Sequence, residues 1–268
     1  MKKNLEYLTK FHGLFFILLF IIISSLGCAT LYGQIEKSGE WDRILNGEYL
    51  VENCTWNVSA AKGKWNQTIF CDTVKGSYGW KWDFSGEKED ENSYVVKTYP
   101  EIIFGRKPYE NYKSTTNRLP VPLTSAKFRI EFDYIAKSGG AYNTTTDISF
   151  TDNTNPGPTN IRAKIMIWFD HQKIPFFKSK TLKQATIGGL LHDVFIDPDH
   201  IGPEGKWVFI ALLPHKFLSK GELNLNDYFN YALSKGVLKP EWILSSIEIG
   251  SEIATGKGEV IFNRFVVH

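Results

Sequence analysis

The segment from Arg162 to Asp170 contains the side chains best suited to chemistry, in the order Arg-Ala-Lys-Ile-Met-Ile-Trp-Phe-Asp. Alternate residues of a β-strand point to opposite faces. One face would be wholly apolar, and the other would hold Lys164, Met166, Trp168 and Asp170. A methionine and a tryptophan between charges suit the floor of a cleft for an amphipathic ligand. A sugar fits, because its ring stacks on aromatic side chains while its hydroxyl groups need polar partners.

The elements that must position this strand are nearly all β. Apolar and polar residues alternate through much of the chain, and clusters rich in Gly, Pro, Asn and Ser separate the runs. Besides 162–170, the pattern predicts strands over 48–56, 68–74, 79–84, 93–104, 126–135, 145–151, 186–196, 206–213, 244–252 and 259–267.

One helix is predicted near the C-terminal end of the chain. Asn224 can cap it, Gly236 supplies a left-handed stop, and Pro240 follows. Many strands with one helix indicate an all-β fold, a jelly-roll β-sandwich of two curved antiparallel sheets with a concave cleft. We find no internal repeat, so residues 41–268 are expected to form one domain.

The N-terminal region is typical of an export signal. Three lysines precede an unbroken run of ten apolar residues, 14–23, which is short for a membrane span. The signal is expected to cover 1–28 and a polar tether 29–40. Leu-Gly-Cys at 26–28 resembles a lipobox, with Ser25 in place of the usual leucine. We therefore expect a lipid anchor at Cys28, with simple secretion and an uncleaved anchor as alternatives.

Charge excludes one class of partner. The chain carries a formal charge of +2, all of it in the leader, and no run of Lys or Arg marks a nucleic-acid surface. We expect a monomer that requires no cofactor.

The cysteines and histidines give little support for metal chemistry. Cys54 and Cys71 are too few for a zinc site, and His192, His200 and His215 lack ligand spacing. In an exported domain an even pair predicts a Cys54–Cys71 disulfide, the alternative being two buried thiols. Four Asn-x-Ser/Thr sequences are interpreted as chance matches, because the leader is typical of bacteria.

Four tryptophans lie on or beside predicted strands, at Trp56, Trp80, Trp82 and Trp168. A buried tryptophan needs a partner for its N–H group, so sandwich cores favour Phe, Val and Ile. Each tryptophan could be a core filler. As a set, they are more typical of the stacking platforms of a sugar cleft.

Five segments together resemble glycoside hydrolase family 12, whose members cleave β-1,4-glucans and xyloglucan. Residues 49–56 are similar to the early family strand that ends Asn-Asn-Leu-Trp. Residues 82–86 resemble its Trp-x-Trp-Ser-Gly turn, and 96–102 resemble Val-Lys-Ser-Tyr-Pro-Asn-Ile. Residues 146–150 resemble the strand that carries its assisting aspartate, and 250–256 resemble Gly-Thr-Glu-Pro-Phe-Thr-Gly, which carries its acid/base glutamate. The resemblance runs from about residue 47 to the C-terminus.

The resemblance implies roles for particular residues. Glu252 would be the acid/base and Asp147 the assisting acid, while Asn53, Trp56, Trp82, Met166 and Trp168 would contact a β-glucan or xyloglucan oligosaccharide. Glu248 shares the strand parity of Glu252 and could also face the cleft, or be a rim charge.

Residues 164–169 resemble the family sequence Glu-x-Met-Ile-Trp-Leu, but Lys164 stands where the nucleophilic glutamate is expected. Retaining hydrolysis needs two carboxyl groups about 5–5.5 Å apart. An ammonium group cannot attack the anomeric carbon, and its charge should lower the pKa of a nearby Glu252. Asp147 or Glu248 would pair with the buried lysine.

Other acids could replace the missing nucleophile. Asp170 shares the predicted cleft face but is favoured as a turn residue at a strand end, and Asp152 as a loop residue. Asp147 is the better substitute.

Three functions follow: glycan binding with impaired hydrolysis, active hydrolysis by Asp147 and Glu252 with inversion, or a structural envelope role with a filled cleft. A lyase that uses Lys164 as its base is a remoter variant.

Overall fold

A computed structural model describes residues 33–87, 94–109, 112–177, 182–202 and 205–268. The predicted signal and Cys28 lie outside these ranges. Within them, no helix has the length and apolar character needed to cross a membrane.

Sixteen strands, one α-helix and three single-turn 3-10 helices (Val58–Ala60, Leu123–Ser125 and Pro158–Asn160) make up the described fold. In chain order the strands and the α-helix are β1 (Gln34–Lys37), β2 (Arg43–Asn46), β3 (Tyr49–Glu52), β4 (Asn66–Asp72), β5 (Ser77–Phe84), β6 (Glu101–Gly105), β7 (Val121–Pro122), β8 (Arg129–Ser138), β9 (Tyr142–Thr151), β10 (Ile161–Gln172), β11 (Lys183–Ile187), β12 (Leu190–Gly202), β13 (Gly205–Pro214), β14 (Lys220–Asn224), α1 (Leu225–Ser234), β15 (Ile243–Gly250) and β16 (Gly256–Val267).

The strands form two sheets, and the jelly-roll sandwich predicted from the sequence is confirmed. One sheet has six strands in the order β1-β4-β5-β16-β8-β14. The other has ten, in the order β11-β12-β13-β10-β9-β15-β6-β3-β2, with β7 beside β15. Neighbouring strands are antiparallel except β10 and β13, which pair in parallel.

The central strand β10 shows the predicted alternation. Ala163, Ile165, Ile167 and Phe169 are at most 1% exposed and belong to the core between the sheets. Apolar side chains on this face hold the strand in register, because a slip of one residue would turn the whole set toward solvent. The opposite face of β10 is therefore available to the cleft.

Several local predictions are confirmed and others need revision. Helix α1 begins after Asn224, whose side chain accepts a hydrogen bond from the backbone N–H of Asn226. The strand predicted over 186–196 is instead parts of β11 and β12, joined by a turn at Gly188 and Gly189 with φ of 55° and 79°. The segment predicted as a polar tether, 29–40, contributes edge strand β1 in its described part.

The predicted disulfide is wrong. Cys54 and Cys71 are both buried free thiols. Cys71 lies on β4 in the core between the sheets, whereas the Sγ of Cys54 lies 4.0 Å from Lys107 Nζ on the cleft side of the larger sheet. Burial raises the pKa of the Cys54 thiol to about 12. Two side chains that point to different faces cannot meet the geometry of a disulfide.

Candidate active site

A cleft of about 870 Å³ lies on the outer face of the ten-stranded sheet. Its floor includes Met166 and Trp168 from β10, and its rim includes Trp56, which is 52% exposed. This volume is within the range of ligand-binding clefts. Lys164, Asp147, Glu248 and Glu252 also line it, together with aromatic side chains from β13 and the loops.

Lys164 lies in the cleft wall and is ion-paired. Its Nζ donates to Asp147 Oδ2 at 2.9 Å and to the Tyr109 hydroxyl at 3.2 Å. Only 8% of the Lys164 side chain is exposed. Burial opposes its charge, but Asp147, Tyr109 and Glu248 together hold the pKa of Lys164 well above its usual range. The site therefore contains a fixed ammonium group, and of its two expected partners Asp147 is the one that pairs with it.

Glu252 follows β15 and is held by Asn143. The backbone N–H of Glu252 donates to Asn143 Oδ1 at 3.0 Å, and the Asn143 side-chain amide donates to the Glu252 carboxylate. Burial, opposed by the Asn143 hydrogen bond and assisted by the charge of Asp147, raises the pKa of Glu252 to about 7.

The lowered pKa expected for Glu252 is therefore wrong. Lys164 is held by Asp147 and Tyr109, and burial dominates at Glu252. A carboxyl group that keeps its proton near neutral pH suits a general acid. Asn143 was missed because its Asn-Thr-Thr sequence was interpreted only as a chance glycosylation match.

A second group of charges lies beside the Lys164–Asp147 pair. Lys107 Nζ contacts Glu101 and lies 3.3 Å from Glu52, and Arg43 Nε donates to Glu52 at 2.7 Å. Tyr112 donates its hydroxyl hydrogen to Glu52 as well. Glu52 lies on β3 and Glu101 on β6, and the two residues are opposite each other because these strands are neighbours in the larger sheet. Glu52 and Glu101 lie in two of the segments that resemble the family, but the sequence does not show that these segments pair, so sequence reasoning missed the group.

Glu248 connects the two groups of charges. It lies opposite Asp147 in the pairing of β15 with β9 and is 1% exposed, so the alternative of a rim charge is wrong. Burial raises the pKa of both Glu248 and Glu101. The charge of Glu248 raises the pKa of Glu101 further, whereas the hydrogen bond with Glu101 opposes the rise at Glu248. A proton held by these two carboxyl groups brings the buried charges close to balance.

The aromatic lining is wider than the sequence indicated. Trp168 and Met166 contact each other through the indole N–H and the sulfur, at 3.2 Å. Trp207 of β13 lies within 5.9 Å of Lys164 Nζ, and its own N–H has no hydrogen-bond partner among the described residues. Trp207 was missed because β13 is distant from β10 in the sequence, and no local pattern shows that the two strands pair.

Three predicted cleft residues lie elsewhere. Trp82 is 2% exposed in the core and packs against Tyr142, because β5 belongs to the six-stranded sheet. Asn53 is fully buried and bonds Gly39 and Gln67. Asp170 is turned away from the cleft face by a bulge after Trp168, where two residues of β10 oppose one of β9.

Glu52, Cys54 and Glu101 are the described residues closest to a metal-binding geometry, with ligand atoms within 4.8 Å of one another. Lys107 contacts all three side chains. The ammonium group therefore occupies the position where a cation would bind, and the donor set does not fit a metal ion.

A jelly-roll sandwich with a cleft that is lined by aromatic side chains and carboxyl groups is typical of proteins that bind or cleave polysaccharides. The model of Glycosyl hydrolase family 12 matches residues 47–268, and the chain belongs to this family.

Relatives and solved structures agree with this assignment. Endoglucanase S of Pectobacterium parmentieri is 28% identical over 262 residues, covering 94% of each chain. A xyloglucan-specific endo-β-1,4-glucanase of Phytophthora nicotianae is 24% identical, covering 82% of this chain and 86% of that protein. The fold matches a family 12 xyloglucanase from Bacillus licheniformis in complex with ligand, with a TM-score of 0.76 at 24% identity, over 87% of this chain and 98% of the other.

Proposed function

We propose that the cleft binds β-1,4-glucan or xyloglucan and that Lys164 impairs retaining hydrolysis of the bound chain. The observation that carries this proposal is the ion pair of Lys164 with Asp147 in the cleft wall, at 2.9 Å. The six residues 164–169 otherwise resemble the family sequence around its nucleophile. Support for the glycan comes from family membership and from relatives named as endoglucanase and xyloglucan-specific glucanase.

The chemistry would fail at its first step. In a retaining mechanism, one carboxylate attacks the anomeric carbon while the other carboxyl group protonates the departing oxygen. Glu252, with its pKa raised to about 7, has the properties of the second group. Lys164 cannot supply the first, and its positive charge opposes the charge that develops on the sugar ring. Binding by Trp56 and the floor residues would persist.

A second candidate is hydrolysis with inversion. Asp147 Oδ1 is buried and has no hydrogen-bond partner among the described residues, so it can accept a proton from a water molecule. Glu252 would act as the acid. This mechanism requires the two carboxyl groups to be roughly 6.5–9.5 Å apart with water between them.

A structural role is supported less well. It predicts a cleft filled by a loop or side chains, whereas the described cleft is open and has an exposed tryptophan at its rim.

The test measures reducing ends from xyloglucan and mixed-linkage β-glucan, together with calorimetric binding of their oligosaccharides. We expect binding by the wild type, with reducing ends at the level of Glu252→Gln. The double variant Lys164→Glu/Glu248→Gln should gain hydrolysis. Glu248→Gln is included because the new glutamate would otherwise lie beside two other carboxyl groups, Asp147 and Glu248, and crowded carboxyl groups disfavour ionisation.

Each other outcome has a definite meaning. If the wild type releases reducing ends well above the level of Glu252→Gln, the proposal of impaired hydrolysis is overturned and the inverting candidate is favoured. Asp147→Asn should then abolish this release. Absence of binding to every glucan in the panel would overturn both candidates.

A further inference from the structure

A second cavity, of about 480 Å³, lies at the bulged end of β10. Its lining includes Tyr134 of β8, Tyr142 of β9, Asp170 and His171 of β10, and Phe217 from the connection between β13 and β14. None of these five residues lines the cleft. The bulge after Trp168 separates the two sites, because it turns Asp170 away from the cleft face.

The polar groups of this cavity are buried and only partly paired. The Tyr142 hydroxyl donates to Asp170, with distances of 2.9 and 3.1 Å to the two carboxylate oxygens. Tyr134 is 3% exposed, and its hydroxyl has no hydrogen-bond partner within the described part of the chain. A buried hydroxyl group is ordinarily hydrogen-bonded. The cavity therefore suits a ligand that both donates and accepts hydrogen bonds.

One wall of the cavity is apolar and open to solvent. Phe217 is 62% exposed, and its ring meets the edge of His171 at 5.7 Å. Ile135 on β8, also in this wall, is 49% exposed. An aromatic face beside a carboxylate is a combination that recognises a sugar ring, because the C–H face of the ring packs on the aromatic side chain while its hydroxyl groups donate to the carboxylate.

We propose that this cavity is a second glycan-binding site, which takes one or two hexose units of a polysaccharide outside the cleft. A sugar hydroxyl would donate to Asp170 and another would accept from Tyr134, with the ring against Phe217. This inference is independent of whether the cleft hydrolyses its ligand. Two sites on one protein would raise its affinity for long polysaccharide above that for short oligosaccharides.

The site is close to the cleft without being part of it. The ring of His171 lies 5.4 Å from the ring of Trp168, which lines the cleft floor. One rigid strand, β10, therefore contributes to both sites. A long polysaccharide could therefore occupy both sites at once.

The test uses affinity electrophoresis of the full chain in gels that contain xyloglucan or mixed-linkage β-glucan. Phe217→Ala and Asp170→Asn are each compared with Leu45→Ala, which removes an apolar side chain of similar exposure, 64%, on edge strand β2. The three changes are made in the wild type and in Trp56→Ala, a variant expected to weaken glycan binding in the cleft. We expect Phe217→Ala and Asp170→Asn to weaken retardation by about three- to tenfold. Leu45→Ala should not change it.

The outcomes separate this proposal from that for the cleft. If Trp56→Ala abolishes binding and Phe217→Ala has no effect in either background, the second site is overturned and the cleft is supported. If Phe217→Ala abolishes binding and Trp56→Ala does not weaken it, the second site is supported and the proposed cleft function fails. Competition by tetramethylammonium but not by cello-oligosaccharides would identify an ammonium site and overturn the glycan proposal. Thermal unfolding of each variant serves as the folding control.

Discussion

Lys164 and Asp147 form an ion pair inside the cleft wall, where their side chains are only 8% and 14% exposed. Removal of one partner from a buried ion pair leaves an uncompensated charge, which costs more than the loss of both. At the residue scale, the proposed loss of retaining hydrolysis depends on this pair. A single substitution at position 164 would therefore destabilise the fold, because it would leave Asp147 buried without its partner.

A double-mutant cycle tests this dependence. Lys164→Met and Asp147→Asn should each lower the free energy of unfolding by about 2–4 kcal/mol, and the double variant by less than their sum, with a coupling of about 1–3 kcal/mol. Chemical denaturation measures all four proteins. The exposed pair Lys220–Asp133, at 2.6 Å with the lysine 75% exposed, is the matched control and should couple by less than about 1 kcal/mol. Equal coupling in the two pairs would contradict a desolvated pair in the cleft.

Glu252 should make stability depend on pH. Its pKa is raised in the fold to about 7, so between its unfolded pKa and 7 the folded state binds more protons than the unfolded state. Stability contributed by this group is therefore present at low pH and declines as pH rises through about 7. Between pH 5 and pH 8, we expect the free energy of unfolding of Glu252→Gln to rise by about 1–3 kcal/mol relative to that of the wild type, after allowance for partial exposure.

Denaturant titrations at the two pH values measure this difference. Comparison with the wild type cancels the contributions of Glu101 and Glu248, whose pKa values burial also raises. Glu241→Gln, at an exposed position, is the control and should follow the wild type at both pH values. An identical pH dependence in Glu252→Gln and the wild type would show that Glu252 titrates in its ordinary range.

At the scale of elements, alternation predicted the faces of β10 up to Trp168 and then failed. The bulge between Trp168 and Asp170 adds one residue, and the parity of every later side chain is reversed. No residue type in Trp-Phe-Asp-His signals a bulge. Asp170 was therefore assigned to the cleft face, although it bonds Tyr142 in a different cavity.

The helix shows the opposite case, since local signals were sufficient. Asn224 caps α1 through the backbone N–H of Asn226, and the first turn contains Asp227. Asn224→Ala should lower the free energy of unfolding by about 1 kcal/mol, which is a shift of about 2–4 °C in Tm for a domain of this size. Asn224→Asp keeps an acceptor at the cap and should retain most of the stability. A loss in the Asp variant equal to that in the Ala variant would contradict a capping role.

At the scale of the whole molecule, the sequence predicted what depends on short patterns and missed what depends on sheet order. The sandwich and the helix follow from alternation and capping residues, and motif order left Asp147 and Glu248 as the two candidate partners of Lys164. The charges of Glu52, Glu101 and Lys107 meet because β3 and β6 are neighbours, which no local pattern reveals. Trp82 was misassigned for the same reason, because the motif containing it does not show which sheet β5 joins.

The cleft collects side chains from distant parts of the larger sheet, so ligand binding should stabilise the domain as a unit. Arg43 on β2 and Trp207 on β13 both line it, although five strands separate β2 and β13 in the sheet order β13-β10-β9-β15-β6-β3-β2. A ligand that binds only the folded state at 100 times its Kd stabilises that state by about 2.7 kcal/mol. For a domain of this size, we expect Tm to rise by about 5–10 °C with a saturating xyloglucan oligosaccharide.

Differential scanning calorimetry over a series of oligosaccharide concentrations measures this rise. Trp56→Ala removes the exposed rim tryptophan and should reduce the shift at any given concentration, whereas Leu45→Ala, exposed on edge strand β2, should reproduce the wild-type curve. A chain with weak hydrolysis should keep its elevated Tm after hours of incubation with the ligand. If the elevated Tm decays with incubation in the wild type but not in Glu252→Gln, the chain consumes its ligand, and Lys164 does not prevent hydrolysis.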